Sequence, residues 1–199
     1  MAGVPFVGLT GGLGAGKSEA LRVLGELGAA TLSTDAVVHE LLTGDELRDV
    51  VVEQLGPEVA RDGSLDRSLI AERVFGDDDA RAWLEAELWP RVGRRVAEWK
   101  QEVEALDPAP PAAVVEVPLL FESGMEAAFD ATIAVVADEA LREERAAARG
   151  HAAVAERAGR QLSQAEKSQR ADFEVRNDGT LEELKETLSR VLAKLDQVP

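Results

Sequence analysis

The stretch that decides the architecture is VPFVGLTGGLGAGKSEALRVLGELG, Val4 to Gly28. Val4 to Leu9 is a short apolar run with a proline near its start, which reads as a buried strand. Glycines follow at 11, 12, 14 and 16, and Lys17 to Leu27 then carries Ala20, Leu21, Leu24 and Leu27 at helical spacing. Between strand and helix, Gly11 to Ser18 satisfies G-x-x-x-x-G-K-[ST], a pattern that chance would place in on the order of one in a few hundred chains of this composition. In that context backbone N–H groups wrap a phosphate and the helix N-terminus adds a favourable dipole. Lys17 would bridge the β- and γ-phosphates, and Ser18 would place its hydroxyl on Mg²⁺. A merely flexible glycine turn is the plainer alternative, and the strand-loop-helix order weighs against it.

Working outward, Gly28 ends the helix, Ala30 to Leu32 begins a second strand, and Asp35 to Leu42 resumes a helical pattern. This is the opening of a βαβ unit and hence of a parallel sheet. Residues 45–106 look helical almost throughout, with breaks at Gly56-Pro57, Asp62-Gly63-Ser64 and Gly76-Asp77, so they form an insertion between strands. After the stiff connector Asp107 to Pro111, strands are expected at Ala113 to Val117, Asp130 to Val136 and Asp172 to Val175. Helices are expected at Glu139 to Ala148, Val154 to Leu162 and Gln164 to Arg170, with a closing amphipathic helix from Leu181 to Leu195. The expected class is α/β, a five-stranded parallel sheet flanked by helices.

Composition narrows the chemistry. The 199 residues, 45% hydrophobic and 30% charged, fit one ordinary globular domain. No apolar run approaches the roughly 20 residues that span a bilayer, and Met1 leads straight into a strand without a signal-peptide pattern; a cytoplasmic protein with no membrane partner is expected. Without cysteine, and with only His39 and His151, thiolate chemistry and closed zinc sites are disfavoured. A net charge of -16 repels nucleic acid at long range. Between Arg142 and Arg170, however, seven basic residues (Arg142, Arg145, Arg149, Arg157, Arg160, Lys167, Arg170) face four acidic ones (Glu143, Glu144, Glu156, Glu166), so a small polyanion should be met there.

A phosphate loop serves kinases, switches and motors alike, so the acceptor side has to decide. The guanine-specifying N-K-x-D is absent, which disfavours a GTPase. Asp35 lies just past the second strand, where a parallel sheet aims carboxylates into the same C-terminal crevice as the loop, and an acceptor hydroxyl needs a base there. The competing reading makes Asp35 the N-cap of a helix starting at Ala36. His39, four residues on, is assigned no role.

At this point the residues resemble the dephospho-CoA kinase family. The resemblance is carried by Gly8 to Ser18 with Asp35, then Asp62-Gly63-Ser64-Leu65-Asp66-Arg67 leading to Val74-Phe75. It continues through Val117-Pro118-Leu119-Leu120-Phe121-Glu122, Arg157 with Gln161, and Ala171-Asp172-Phe173 with Asn177 and Gly179, from residue 4 to about 190. It implies a P-loop NTPase-type single kinase domain: core 1–44, 112–140 and 171–199, a helical acceptor-binding region at about 45–106, and a lid at about 141–170. The implied reaction is ATP-dependent phosphorylation of the ribose 3′-hydroxyl of dephospho-CoA, assisted by Mg²⁺ on Ser18, in a monomer or weak homo-oligomer. Asp35, Lys17, Arg145 and Arg149 would be catalytic. ATP would be held by Gly12, Leu13, Gly14, Ala15, Gly16, Lys17, Ser18 and Glu19, by Arg145 and Arg149, and by the turn at Asn177 and Gly179. The acceptor would meet Asp35, Arg67 and Arg157, together with Pro118, Leu119, Leu120, Phe121 and Glu122.

Four positions depart from the family pattern: Glu19, where a second hydroxyl residue is usual and a carboxylate would repel phosphate unless turned away, Ser33, Trp89 and Glu116. Of Trp83, Trp89 and Trp99, core packing is expected for at least two. Two rivals stay open, another small-molecule P-loop kinase of the nucleoside monophosphate or shikimate type, and a nucleotide-binding regulator without catalysis. The latter would need the cradle but not Asp35.

Overall fold

The computed structural model describes residues 3–148 and 161–195. In chain order these give β1 (Phe6–Gly11), α1 (Lys17–Glu26), β2 (Ala30–Ser33), α2 (Thr34–Thr43), α3 (Asp45–Leu55), β3 (Ala60–Arg61), β4 (Ser64–Leu65), α4 (Arg67–Val74) and α5 (Asp78–Glu104). Then follow β5 (Ala113–Glu116), β6 (Ala131–Val136), α6 (Glu139–Ala148), α7 (Gln164–Arg170), β7 (Phe173–Arg176) and α8 (Leu181–Leu195). The chain divides into two compact units, one of Met1–Leu32 with Lys100–Pro199 and one of Ser33–Trp99.

The first unit is built on a five-stranded sheet of order β2-β5-β1-β6-β7, whose β1–β5, β1–β6 and β6–β7 pairings are parallel. β1 is central and buried at every residue, as a strand covered on both faces must be. Its alternation sorts the two layers. Val7 and Leu9 face a core shared with Ala20, Val23 and Leu24 of α1 and with Leu184, Leu188, Val191, Leu192 and Leu195 of α8. Each large apolar side chain so buried contributes about 1.5 to 3 kcal/mol over its exposed state. On the other face, a side chain at Gly8 would press on Leu120 and Phe129, and Thr10 meets Lys167 of α7.

The second unit gathers Leu42 of α2, Leu47, Val51 and Leu55 of α3, Val59, Leu65, Ile70 of α4 and Ala80, Leu84 and Leu88 of α5 into its own core, with Trp83 packed against it. The Asp62-Gly63 break turns out to be a hairpin: β3 and β4 pair antiparallel, and both turn residues have positive φ, 50° and 81°. That is the Asp-Gly turn whose twist matches paired strands. Asp66 then caps α4, accepting from Ser68 N at 2.8 Å and Leu69 N at 3.3 Å. Trp89 is exposed and Trp83 and Trp99 are half-buried.

Candidate active site

β1 delivers the chain to the phosphate loop, and the loop's shape depends on two glycines. Gly14 has φ +76°, and a Cβ there would lie 2.4 Å from the Arg142 carbonyl oxygen; Gly16 has φ +91°, and a Cβ would lie 2.1 Å from Asn177 Nδ2. The loop is therefore closely embraced by α6 on one side and by the turn after β7 on the other, and only glycine permits both backbone conformation and approach. Ala15 N donates to Gly12 O (3.2 Å), and Ala20 N donates to Gly16 O (2.9 Å) as α1 begins.

Side chains hold the loop's carbonyls. Lys17 Nζ donates to Gly11 O and Gly12 O, each at 3.1 Å. Arg142 Nε donates to Leu13 O at 2.9 Å, and Asn177 Nδ2 to Ala15 O at 3.0 Å. In a trans peptide the following N–H points opposite to the carbonyl. Anchoring Leu13 O and Ala15 O from behind thus turns the N–H groups of Gly14 and Gly16 to the other face, the arrangement that receives an anion. Asn177 is itself fixed by donating its N–H to Val136 O at 2.8 Å, and Arg145 Nη1 donates to Asn177 O at 3.1 Å.

Ser18 is exposed in the first turn of α1. Glu19, the departure that threatened the phosphate, turns its carboxylate to Arg22 at 2.6 Å. Gly179 is exposed just before Thr180, whose hydroxyl caps Glu183 N at 3.3 Å ahead of α8.

The loop after β5 holds the expected acceptor residues, and its parts differ in character. Leu120 and Phe121 are buried, Pro118 and Leu119 half-buried. Glu122 Oε1 takes an ion pair from Lys167 at 2.9 Å and a hydrogen bond from Leu162 N at 2.8 Å. Lys167 is completely buried, and burial pushes its ammonium below the ordinary lysine range against the opposing pull of Glu122. Glu116 is buried at the end of β5, opposite Leu9.

In the second unit, Asp35 is exposed in the first turn of α2, and Arg67 is exposed at the first position of α4. The helix begins at Thr34 with Ser33 as its N-cap, so the reading of Asp35 as the cap of a helix starting at Ala36 is corrected. His39 is exposed on the same helix. Arg149 and Arg157 lie outside the described residues, as does most of the helix expected from Val154 to Leu162; of that span only Gln161 and Leu162 are described, and neither is helical. Among the described residues no cluster of three metal-ligating side chains occurs, and no helix is long and apolar enough to cross a membrane. Reading the sequence missed Arg142 and Lys167 as individuals, although both belong to the basic segment it singled out.

The family model for dephospho-CoA kinase matches residues 5–183. The chain belongs to the dephospho-CoA kinase family. It is 39% identical over 193 residues to the dephospho-CoA kinase of Protochlamydia amoebophila, covering 95% of each chain. The solved structure of TT1252 from Thermus thermophilus superposes with a TM-score of 0.82 at 33% identity, covering 98% of this chain and 99% of that one. A shikimate kinase from Aquifex aeolicus, at TM-score 0.51 and 13% identity over 96% of both chains, shares the fold alone. The kinase activity and the α/β sheet expected from the sequence are those of this family.

Proposed function

We propose that this chain transfers the γ-phosphoryl group of ATP to the 3′-hydroxyl of the ribose of dephospho-CoA, giving coenzyme A and ADP. Family membership across nearly the whole chain carries the reading, and the braced phosphate loop supplies the machinery it needs. On this reading Lys17 leaves the Gly11 and Gly12 carbonyls for the β- and γ-phosphates, while the N–H groups from Gly12 to Glu19 hold the phosphate oxygens. Asp35 accepts the proton of the 3′-hydroxyl as its oxygen bonds to the γ-phosphorus and the bond to ADP breaks. Arg145, which reaches the Asn177 turn, and Arg149 act on the charge spread over the transferred group. Arg67, Arg157 and the loop from Pro118 to Phe121 hold the acceptor, with Glu122 closing that loop, within a core, an acceptor-binding region at about 45–106 and a lid at about 141–170.

The donor set fits Mg²⁺. Ser18 offers one hard hydroxyl oxygen at the start of α1, and a Mg²⁺ that keeps waters and binds mainly phosphate oxygens needs no cluster of carboxylates. Mg²⁺ held there would supply charge neutralisation to the triphosphate. We place the enzyme in the cytoplasm, as a monomer or weak homo-oligomer.

The test is ADP release measured over a panel of acceptors, namely dephospho-CoA, adenosine monophosphate and shikimate. Turnover with dephospho-CoA and the appearance of coenzyme A are expected. Turnover with another acceptor alone would move the chain to a different small-molecule kinase. ATP binding without turnover on any acceptor would favour the regulator.

A further inference from the structure

The sequence QAEKSQR of α7 offers no apolar face, yet α7 packs against β6 and β1, and its one buried residue is a lysine. Gln164, Lys167 and Arg170, spaced by three along it, between them grip the end of β6, the end of β1 and the loop after β5. Gln164 closes a two-bond clamp on Ala137 at the end of β6, accepting from its N–H and donating to its carbonyl, both at 2.9 Å. Lys167 Nζ donates to Pro118 O at 2.8 Å, reaches Thr10 Oγ1 at 3.5 Å and pairs with Glu122 Oε1 at 2.9 Å. The Arg170 guanidinium lies 4.8 Å over the Phe121 ring and pairs with Glu126. Both ends of the segment from Pro118 to Glu122 are thus tied to one buried ammonium. Thr10 Oγ1 donates to the same Pro118 carbonyl at 3.3 Å. The other oxygen of Glu122, Oε2, is buried with no hydrogen-bond partner among the described residues.

An ammonium without solvent is costly to bury and is kept only where its donors are well used. All three acceptors here lie at the ends of β1 and β5 or on the loop after β5, and β1 runs directly into the phosphate loop, which gives the lysine a task beyond filling space. Resting on the function proposed above, we propose that Lys167 is the positioning residue of the acceptor loop, with Glu122 acting through it rather than on the acceptor. By drawing Pro118 O and Glu122 together, it fixes the bend that presents Pro118 and Leu119, the loop's half-buried residues. The phosphate cradle is held separately, through Lys17, Arg142 and Asn177, so losing the lysine should leave ATP binding in place.

Lys167→Met keeps the stem but strands the Glu122 carboxylate, so its stability alone is uninformative. The double variant Lys167→Met/Glu122→Gln removes that stranded charge and should recover most of the lost melting temperature. In it, kcat/KM for dephospho-CoA should fall by about a hundredfold, the scale of a 1 Å misplacement, while equilibrium ATP affinity stays within about twofold of wild type. Glu122→Gln alone, which retains an acceptor for Leu162 N, should raise the acceptor KM with ATP affinity intact. Wild-type acceptor kinetics in the double variant, or an equal loss of ATP affinity, would overturn the proposal, as would a wild-type acceptor KM in Glu122→Gln. Wild-type turnover on dephospho-CoA in the same assay judges the functional reading independently of these ratios.

Discussion

Gly14→Ala puts the embrace of the phosphate loop to a quantitative test. At φ +76° an alanine carries the left-handed cost, about 1 to 2 kcal/mol. Its methyl would also sit 2.4 Å from the Arg142 carbonyl oxygen, 2.9 Å from Arg142 Cα and 3.0 Å from its carbonyl carbon. All three are backbone atoms of α6, so no side chain can swing aside, and helix and loop must part by roughly 1 Å to reach ordinary contact. Overpacking of that kind costs about 1 to 3 kcal/mol, giving roughly 2 to 5 kcal/mol in all. Gly63→Ala supplies the control, since φ there is +81° and nothing lies within 4 Å of the added methyl. The difference between the two variants in urea unfolding free energy isolates the contact with α6. We expect Gly14→Ala to be the less stable by about 1 to 3 kcal/mol and to bind ATP at least about tenfold more weakly, because Arg142 no longer reaches Leu13 O. Equal stabilities together with wild-type ATP affinity would refute the packing of α6 on the loop.

Lys17→Ala should weaken ATP binding and turnover together, since the charge meets the β- and γ-phosphates in ground and transition states alike; near-normal kcat and KM would remove this loop from the phosphate site. Asp35→Asn should cost at most about 1 kcal/mol of stability, the worth of a carboxylate in a helix's first turn. The same change should lower turnover by at least about a hundredfold with ATP affinity unchanged, and steady-state kinetics showing normal turnover would assign the proton elsewhere. The depressed Lys167 predicts opposite trends on the alkaline side. Between its lowered value and the ordinary 10.5 the unfolded chain binds more protons than the folded one, so this group makes stability rise with pH. Over the same window kcat/KM for the acceptor should decline as the ammonium is lost; thermal melts and initial rates across alkaline pH that run the same course in wild type and in Lys167→Met would refute the assignment of either trend to this lysine.

The strand, loop and helix from Phe6 to Glu26 were legible because each has a local cause: an apolar run, glycines at positions needing positive φ, and a 3.6-residue period. Leu181–Leu195 was legible for the same reason, and its expected and observed bounds coincide. The hairpin of β3 and β4 was seen only as a break, since two-residue strands carry no alternation to read; the Asp-Gly pair was the available sign. Strand order is non-local, and nothing near β1 announces that it pairs with β5, whose Ala113 lies opposite Phe6. Lys167 was invisible for a related reason. In QAEKSQR it looks like any solvated lysine, and its burial is decided by Glu122 and Pro118, more than 40 residues away. The sign in the sequence was the absence of any apolar face on a helix next to sheet strands, which forces polar groups inward. Asn177 was expected at the nucleotide, and its side chain is spent on Ala15 O, so its reach toward the loop is through the backbone it holds.

How a chain of net charge -16 can attract a polyanion follows from where its carboxylates are engaged. Several carboxylates of the first unit are engaged by partners. Glu19 is held by Arg22, Glu122 by Lys167, and Asp178 accepts from Asp138 N and from Arg176 at 2.8 Å. Asp172, before β7, accepts from the N–H and hydroxyl of Thr132, both at 2.8 Å. Arg142 and Arg145, by contrast, are each bound to a carbonyl, and among the described residues neither guanidinium is paired with a carboxylate. The two guanidinium groups at the loop therefore stay available to an anion, while much of the negative charge sits on exposed helix faces, with Glu143 and Glu144 of α6 among them. At physiological salt the screening length is about 8 Å, so carboxylates beyond that range act weakly on a bound triphosphate and guanidinium groups at contact distance act strongly. The global charge and the local affinity for phosphate are set by different residues, and they coexist because only the second operates at contact distance.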